Sequence, residues 1–164
     1  MVPAMFAAAA VLLAAWLMRP KLPPGRADLN ALAYRLVVKP APLLTTSGDP
    51  TYLKELDSAL EPYRSGQYDK AAVLLEALQF RCPNAEDAPL YQGVCRLSTD
   101  EGRAAVQPLE RARKLGGASP RDDVAWYLAA AYERVGAWKQ STPLLRKLCA
   151  GTGEYRNSAC EAIR

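Results

Sequence analysis

The hydrophobic and polar positions of residues 65–83 recur with the period of an α-helix. This stretch begins with Ser-Gly, continues with an amphipathic body and ends at Pro83, which cannot extend a helix. A second stretch with the same period follows Asp28 and stops at Pro40, so it predicts an amphipathic helix at residues 28–38. The apolar face of this second helix consists of Leu29, Leu32, Ala33, Leu36 and Val37. Helical segments of this kind continue to the end of the chain, and the predicted fold class is all-α.

The first 18 residues form a continuous apolar segment. It carries no charge from Val2 to Met18, and about 17 helical residues reach roughly 25 Å, near the lower limit for crossing a bilayer. Trp16 and the basic residues that follow it are typical of the membrane interface. A cleaved signal peptide is the alternative, but it would carry its basic residues before the apolar run. The sequence therefore predicts a single-pass transmembrane anchor at residues 1–18.

The charges around this segment predict its orientation. No Lys or Arg precedes it, whereas Arg19, Lys21 and Arg26 follow closely, and positive flanks stay on the cytoplasmic side. We therefore expect the rest of the chain on the cytoplasmic face, with the periplasmic face as the alternative. Residues 19–50 are a proline-rich linker around the helix at 28–38. The apolar face of that helix is expected to lie on the membrane surface or in a groove of the downstream domain.

A repeating pattern of small and large apolar residues extends through residues 51–164. Ala71 and Leu75 lie between a turn glycine and a closing proline, and adding 34 residues reaches Ala105 and Leu109. A third copy is displaced two residues further and contains the sequence LAAAYERVGAW at residues 128–138. Two helices approach closely only where their side chains are small, so this spacing indicates stacked helix pairs.

These spacings resemble the tetratricopeptide repeat (TPR) family. The resemblance implies an α-solenoid of about three helix pairs at residues 51–84, 85–119 and 120–153, followed by a capping helix at 154–164. Several residues depart from the family pattern, and they are Pro62, Arg96, the turn residues Asp100, Glu101 and Gly102, Gly117 and Ser141. An unrelated helical bundle is the alternative architecture.

In the TPR family, the first helix of each pair lines a concave groove. The resemblance assigns eight predicted groove residues, Leu56, Leu60, Tyr63, Leu90, Val94, Leu97, Trp126 and Ala130. A groove of this apolar character suits an amphipathic helix of a protein partner. It lacks the Lys and Asn with which some family members bind a C-terminal carboxylate. Alternatively, these positions are filled within the chain and bind nothing external.

The cysteines and the absence of histidine restrict the chemistry of the chain. There is no histidine and no CxxC pair among the four cysteines, so we expect no metal site and no haem. Cys149 and Cys160 would face each other across a helical hairpin, within reach of a disulfide. Cys82 and Cys95 would lie too far apart to form one. A disulfide would favour an oxidising compartment, against the charge bias of the N-terminal segment.

The charge distribution and the motifs also limit the classes of function. Residues 51–164 carry sixteen basic and fifteen acidic residues, which is not the basic surface of a nucleic-acid-binding domain. The chain has no nucleophile–base pair and no phosphate-binding loop, so we expect no enzymatic activity, no cofactor and no small-molecule substrate. The predicted function is a membrane-anchored protein–protein interaction scaffold, an accessory or assembly subunit of a larger membrane protein complex. The alternative is a module that recruits a soluble partner through its groove.

Overall fold

The computed structural model describes residues 49–117 and 121–163, and in these ranges the chain is entirely helical with no strand, which confirms the all-α class. The helices are α1 (Pro50–Arg64), α2 (Tyr68–Arg81), α3 (Asp87–Ser98), α4 (Gly102–Leu115), α5 (Asp122–Arg134), α6 (Trp138–Ala150) and α7 (Arg156–Ala162). None of these helices is long and apolar enough to cross a bilayer. The predicted anchor at residues 1–18 and the predicted helix at 28–38 lie outside the described residues.

The helices are arranged as a stack of helical hairpins. Close contacts join each described helix to the next one in sequence, and α3 also contacts α5. The first helices of the three hairpins are therefore α1, α3 and α5, the second helices are α2, α4 and α6, and α7 follows α6. Such a pattern of nearest-neighbour contacts is typical of an α-solenoid.

The three hairpin turns have the same backbone geometry. A left-handed residue lies two positions after the end of each first helix, and these residues, Gly66, Asp100 and Gly136, are 34 and 36 positions apart. In each turn the amide of the following residue donates to the carbonyl of the residue four positions before the left-handed one, at 2.8 Å. These are the bonds of the Schellman motif, which satisfies the free carbonyls at a helix end. Asp100 supplies a conformation that glycine supplies in the other two turns.

The second helices pack against the stack through equivalent small and large residues. Ala71, Ala105 and Ser141 occupy one equivalent position, and Leu75, Leu109 and Leu145 occupy another, and all six are 0% exposed. Across the second hairpin, a Cβ added to Gly93 would lie 2.4 Å from Leu109 Cγ, so only glycine allows this close approach of α3 and α4. Small residues thus determine how tightly the helices pack.

The two ends of the described chain are held by local contacts. At the start of α1, the Asp49 carboxylate accepts a hydrogen bond from the Thr51 amide at 2.9 Å and caps the helix. At the other end, Cys149 and Cys160 form a disulfide between α6 and α7, the pair that the sequence singles out. The ring of Tyr155 stacks on that of Trp126, with centroids 5.6 Å apart. The last helix is thereby attached to both α5 and α6.

Candidate interaction surfaces

All eight predicted groove residues belong to the buried core. They lie on the three first helices, and the most exposed of them, Tyr63, has only 7% of its surface accessible. The first helices α3 and α5 are enclosed, whereas α1 keeps one exposed polar face. The role of these eight residues in binding a partner stays a prediction.

Two further buried tyrosines lie next to the predicted groove residues, and the repeat pattern did not identify them. Tyr91 and Tyr127 follow Leu90 and Trp126 directly and are both buried. The rings of Tyr63 and Tyr91 meet edge to face with centroids 5.6 Å apart, so they join α1 to α3. Burial raises the pKa of Tyr91 to about 12 and raises that of Tyr63 and Tyr127 further. These hydroxyls therefore stay protonated at neutral pH.

A buried ion-pair cluster connects the starts of α3 and α5. The Arg121 guanidinium donates from Nη1 to Asp87 Oδ1 at 2.8 Å and from Nη2 to Asp123 Oδ2 at 2.7 Å. Only 2% of the Asp87 side chain and 17% of the Arg121 side chain are exposed. Because Arg121 neutralises carboxylates from two different hairpins, the cluster holds those hairpins in register. A local sequence pattern does not predict this ion pair, because Asp87 and Arg121 are 34 residues apart.

Glu86 lies beside the same cluster in a less favourable environment. Its Oε1 atom is buried and has no hydrogen-bond partner within the part of the chain that the structure describes. Burial raises the pKa of Glu86 above its ordinary value, and this effect exceeds the opposing attraction of Arg121. The carboxylate also lies close to Gly116, at the C-terminal end of α4, where a negative charge is disfavoured.

Two departures from the TPR pattern have a structural explanation in contacts of α5. Ser141, at the position of an alanine, donates a hydrogen bond to the buried Glu133 carboxylate. Asp100, at the turn position of a glycine, accepts from Arg134 Nη1 at 2.9 Å. Arg134 Nη1 also donates to the carbonyl of Leu97 at 2.6 Å, so α5 binds the end of α3. Both residues thus join neighbouring elements of the stack.

The outer face of α2 carries an apolar stripe on the surface. Phe80 is 82% exposed, Val73 is 60% exposed and Leu74 is 39% exposed, and no other large hydrophobic residue in the described ranges is exposed. Leu74 and Ala77 also line a cleft of about 410 Å³ between α1 and α2, which the Arg81–Glu55 ion pair borders. We call Val73, Leu74, Ala77 and Phe80 the α2 stripe.

A second cleft, of about 710 Å³, lies on the outer side between α4 and α6. Four of its nine lining residues are basic, and they are Arg111, Arg113, Lys114 and Lys147. At the positions 34 residues after Val73 and Phe80, α4 has Gln107 and Lys114, and both are exposed. Among the described residues, the exposed large hydrophobic side chains therefore lie only on the first hairpin.

The free cysteines offer no reactive site in the described chain. Cys95 is fully buried and burial raises its pKa to about 12, so its thiol does not ionise at neutral pH. Cys82 is half-buried at the end of α2. The residues that the structure describes contain no cluster of His, Cys, Asp or Glu that could hold a metal ion.

Comparison with known proteins adds no relative to this picture. No protein-family model, no curated protein and no solved structure matches the chain.

Proposed function

We propose that this chain is a non-enzymatic, membrane-anchored interaction subunit that packs against a larger membrane protein complex and helps to assemble or brace it. In this proposal the N-terminal segment at residues 1–18 holds the chain in the membrane. The TPR-like stack of hairpins supplies a rigid surface for the partner. The anchor and the membership of the TPR family are parts of the proposal, and the chemistry of the surface supports it.

The observation that carries this proposal is the exposed α2 stripe. An apolar side chain such as Phe80, with 82% of its surface in water, gains free energy when a partner covers it. The equivalent positions of α4, Gln107 and Lys114, are exposed and polar, so this face of the second helices is not used to stack hairpins and is available to a partner.

The partner that best fits the α2 stripe is an amphipathic helix of a membrane protein subunit. Val73, Ala77 and Phe80 are four and three residues apart, so they form one line along α2. A helix with apolar residues at the same spacing would pack along this line and into the adjoining cleft. The ion pair of Arg81 with Glu55 supplies a polar border, as interfaces commonly have around their apolar centre.

The recruitment of a soluble partner through the predicted groove is less favoured. That function requires access to residues such as Leu90 and Trp126, which are 0% and 1% exposed. A partner would first have to displace whatever covers them, at a cost in affinity. The α2 stripe needs no such rearrangement.

Two observations point to opposite faces of the membrane for the domain. The basic residues after the apolar N-terminal segment favour the cytoplasmic face, and we retain that placement in the proposal. The disulfide between Cys149 and Cys160 favours the periplasmic alternative, because disulfides persist in oxidising compartments. Labelling of Cys82 in intact cells with a membrane-impermeant maleimide distinguishes the two, since only an external domain reacts without permeabilisation.

The proposal is tested by purifying the full chain from native membranes in mild detergent and identifying the accompanying proteins by mass spectrometry. Val73→Ser together with Phe80→Ser is expected to reduce the recovered partner subunits on the order of tenfold or more, because buried aromatic residues dominate interfaces. Gln107→Ser together with Lys114→Ser changes the equivalent exposed positions of α4 and provides the matched control. Equal recovery with both double variants would refute a role for the α2 stripe.

A further inference from the structure

Exposed basic side chains are concentrated on two of the second helices. Together α4 and α6 carry seven basic residues and one acid, Glu110, whereas α2 carries two residues of each sign. All seven basic residues are exposed. The sequence from residue 51 onward is nevertheless almost neutral, with sixteen basic and fifteen acidic residues. The positive charge of the described stack is therefore segregated onto α4 and α6.

Neither helix stability nor ion pairing accounts for these charges. Arg103 and Lys139 lie in the first turns of α4 and α6, where the helix dipole disfavours a cation, and neither first turn contains an acid. No ion pair within the described ranges joins any of the seven basic residues to an acid. Glu110, the one acid of these two helices, accepts a hydrogen bond from the Tyr132 hydroxyl. The cations of α4 and α6 are therefore available to an external anion.

Two of these cations occupy equivalent positions in successive hairpins. The intervals of 34 and 36 residues between the three hairpin turns relate Ala77 of the α2 stripe to Arg111 and then to Lys147. Arg111 and Lys147 both line the cleft of about 710 Å³, which we call the α4–α6 cleft. Arg111 Nη2 donates to the carbonyl of Pro83 at 3.1 Å, and this bond uses only one of the five donors of a guanidinium. The cleft thus has one cation from each of two hairpins around the same space.

The rest of the lining restricts the class of anion that fits the cleft. Leu144 and Ala125 add apolar surface, and Gln107 adds an amide. Among the described residues, the lining contains no aromatic side chain, on which the bases of single-stranded nucleic acids stack. A planar layer of lipid headgroups contacts a protruding surface more readily than a cleft between helices. A protein segment fits best, because it combines carboxylates with apolar side chains.

We propose that the α4–α6 cleft binds an acidic, extended segment of another protein, with the carboxylates of that segment on Arg111 and Lys147. This inference goes beyond the proposed function, because it concerns a surface other than the α2 stripe and does not require the same partner. Residues 1–48 of this chain contain a single acid, Asp28, so their composition does not match the charge of the cleft. The acidic segment therefore comes from another molecule.

The backbone of an extended segment suits this arrangement of cations. Alternate side chains of an extended chain point to the same side, so acids at every second position would face the cleft. Exposed ion pairs of this kind each contribute little free energy, and salt screens them. The binding should therefore be reversible and should weaken as the salt concentration rises.

Fluorescence anisotropy of a rhodamine-labelled peptide measures this binding to the full chain in a non-ionic detergent. The peptide consists of glutamates around a central leucine, and its matched form has glutamines in place of the glutamates. We expect only the glutamate form to bind, with a Kd that rises as salt is added, because screening weakens exposed ion pairs. Equal binding of the two forms, or no binding of the glutamate form, would overturn the inference.

Two double variants that remove equal charge locate the binding site. Arg111→Gln with Lys147→Gln removes both proposed ion pairs and should raise the Kd of the glutamate peptide about tenfold. Lys54→Gln with Lys70→Gln removes two exposed cations of the first hairpin and should leave the Kd unchanged. Circular dichroism of both variants checks that the helices are intact. If the two double variants weaken binding equally, the peptide does not bind in the α4–α6 cleft.

Two competitors test the class of the partner in the same assay. Oligothymidylate represents single-stranded nucleic acid, and phosphatidylserine added to the detergent micelles represents an anionic lipid surface. We expect each competitor to displace the glutamate peptide only at concentrations well above the Kd of that peptide. Displacement at lower concentrations, with a dependence on Arg111 and Lys147, would assign the cleft to nucleic acid or lipid and overturn the inference.

Discussion

Removal of the Cys149–Cys160 disulfide frees α7 from α6 at the C-terminal end of the stack. The two cysteines are 11 residues apart in sequence, and the bond closes the loop that leads from α6 into α7. The helix α7 has only seven residues, too few to be stable by itself. Its remaining attachment comes from the buried side chains of Ala159 and Ala162 and from the stacking of Tyr155 on Trp126.

The expected loss of stability follows from the length of this loop. A cross-link that closes a loop of about 11 residues lowers the entropy of the unfolded chain enough to contribute about 3 kcal/mol. For a domain of this size, that corresponds to a decrease in Tm of about 10 °C. Without its attachment, α7 should also cover Trp126 less completely, because Tyr155 would leave the indole ring.

Thermal unfolding of the full chain in mild detergent, followed by circular dichroism with and without reductant, measures this effect. The unmodified chain should lose about 10 °C in the presence of reductant. The variant with Cys149→Ser and Cys160→Ser should unfold at the lower temperature in both conditions and provides the control. An equal Tm of the unmodified chain with and without reductant would refute the loop-closure reasoning.

Three other changes probe the turns, the core and the buried acid. Gly66→Ala should lower the free energy of unfolding by about 1–2 kcal/mol, because Gly66 has a φ of 76°, which side chains disfavour. The added Cβ meets no other atom, so denaturant unfolding measures the cost of the left-handed conformation alone. Leu109→Ala should destabilise the chain by about 2–5 kcal/mol, since Leu109 is 0% exposed and fills the space against Gly93, and a loss under 1 kcal/mol would contradict its central place. Because burial raises the pKa of Glu86 above 4.5, the folded chain holds this proton more tightly than the unfolded chain, and stability should fall as the pH rises through that raised pKa. Glu86→Gln should remove this pH-dependent loss of stability and should be more stable than the unmodified chain at neutral pH. If the free energy of unfolding depends on pH in the same way in both proteins, Glu86 is not the group responsible.

The helix period and the spacing of small residues were sufficient to predict much of the described fold. The stretch 65–83 contains α2, and the offset of two residues before the third copy matches the 36-residue interval between Asp100 and Gly136. These features are local, because they depend on which residues fit at a helix crossing or a turn. Ser141 and Asp100, which depart from the pattern, required the structure because their partners are on other turns or helices.

The surfaces were harder to predict from the sequence than the helices. The eight predicted groove residues were chosen by their positions in a repeat, but their exposure depends on what lies over the first helices. Phe80 lies in the stretch predicted to be an amphipathic helix, and that pattern does not predict that Phe80 is directed outward and 82% exposed. A hydrophobic pattern identifies apolar positions, and only the arrangement of neighbouring helices determines which of them water can reach.

The size of the particle that contains this chain tests the proposed function most directly. Native membranes would be extracted in mild detergent and separated by native electrophoresis, with the chain detected by a C-terminal tag. We predict that the chain migrates in a complex much larger than its own 17.9 kDa, and that Phe80→Ser releases it from that complex. Migration of the unmodified chain at the size of a single copy in a detergent micelle would contradict the account.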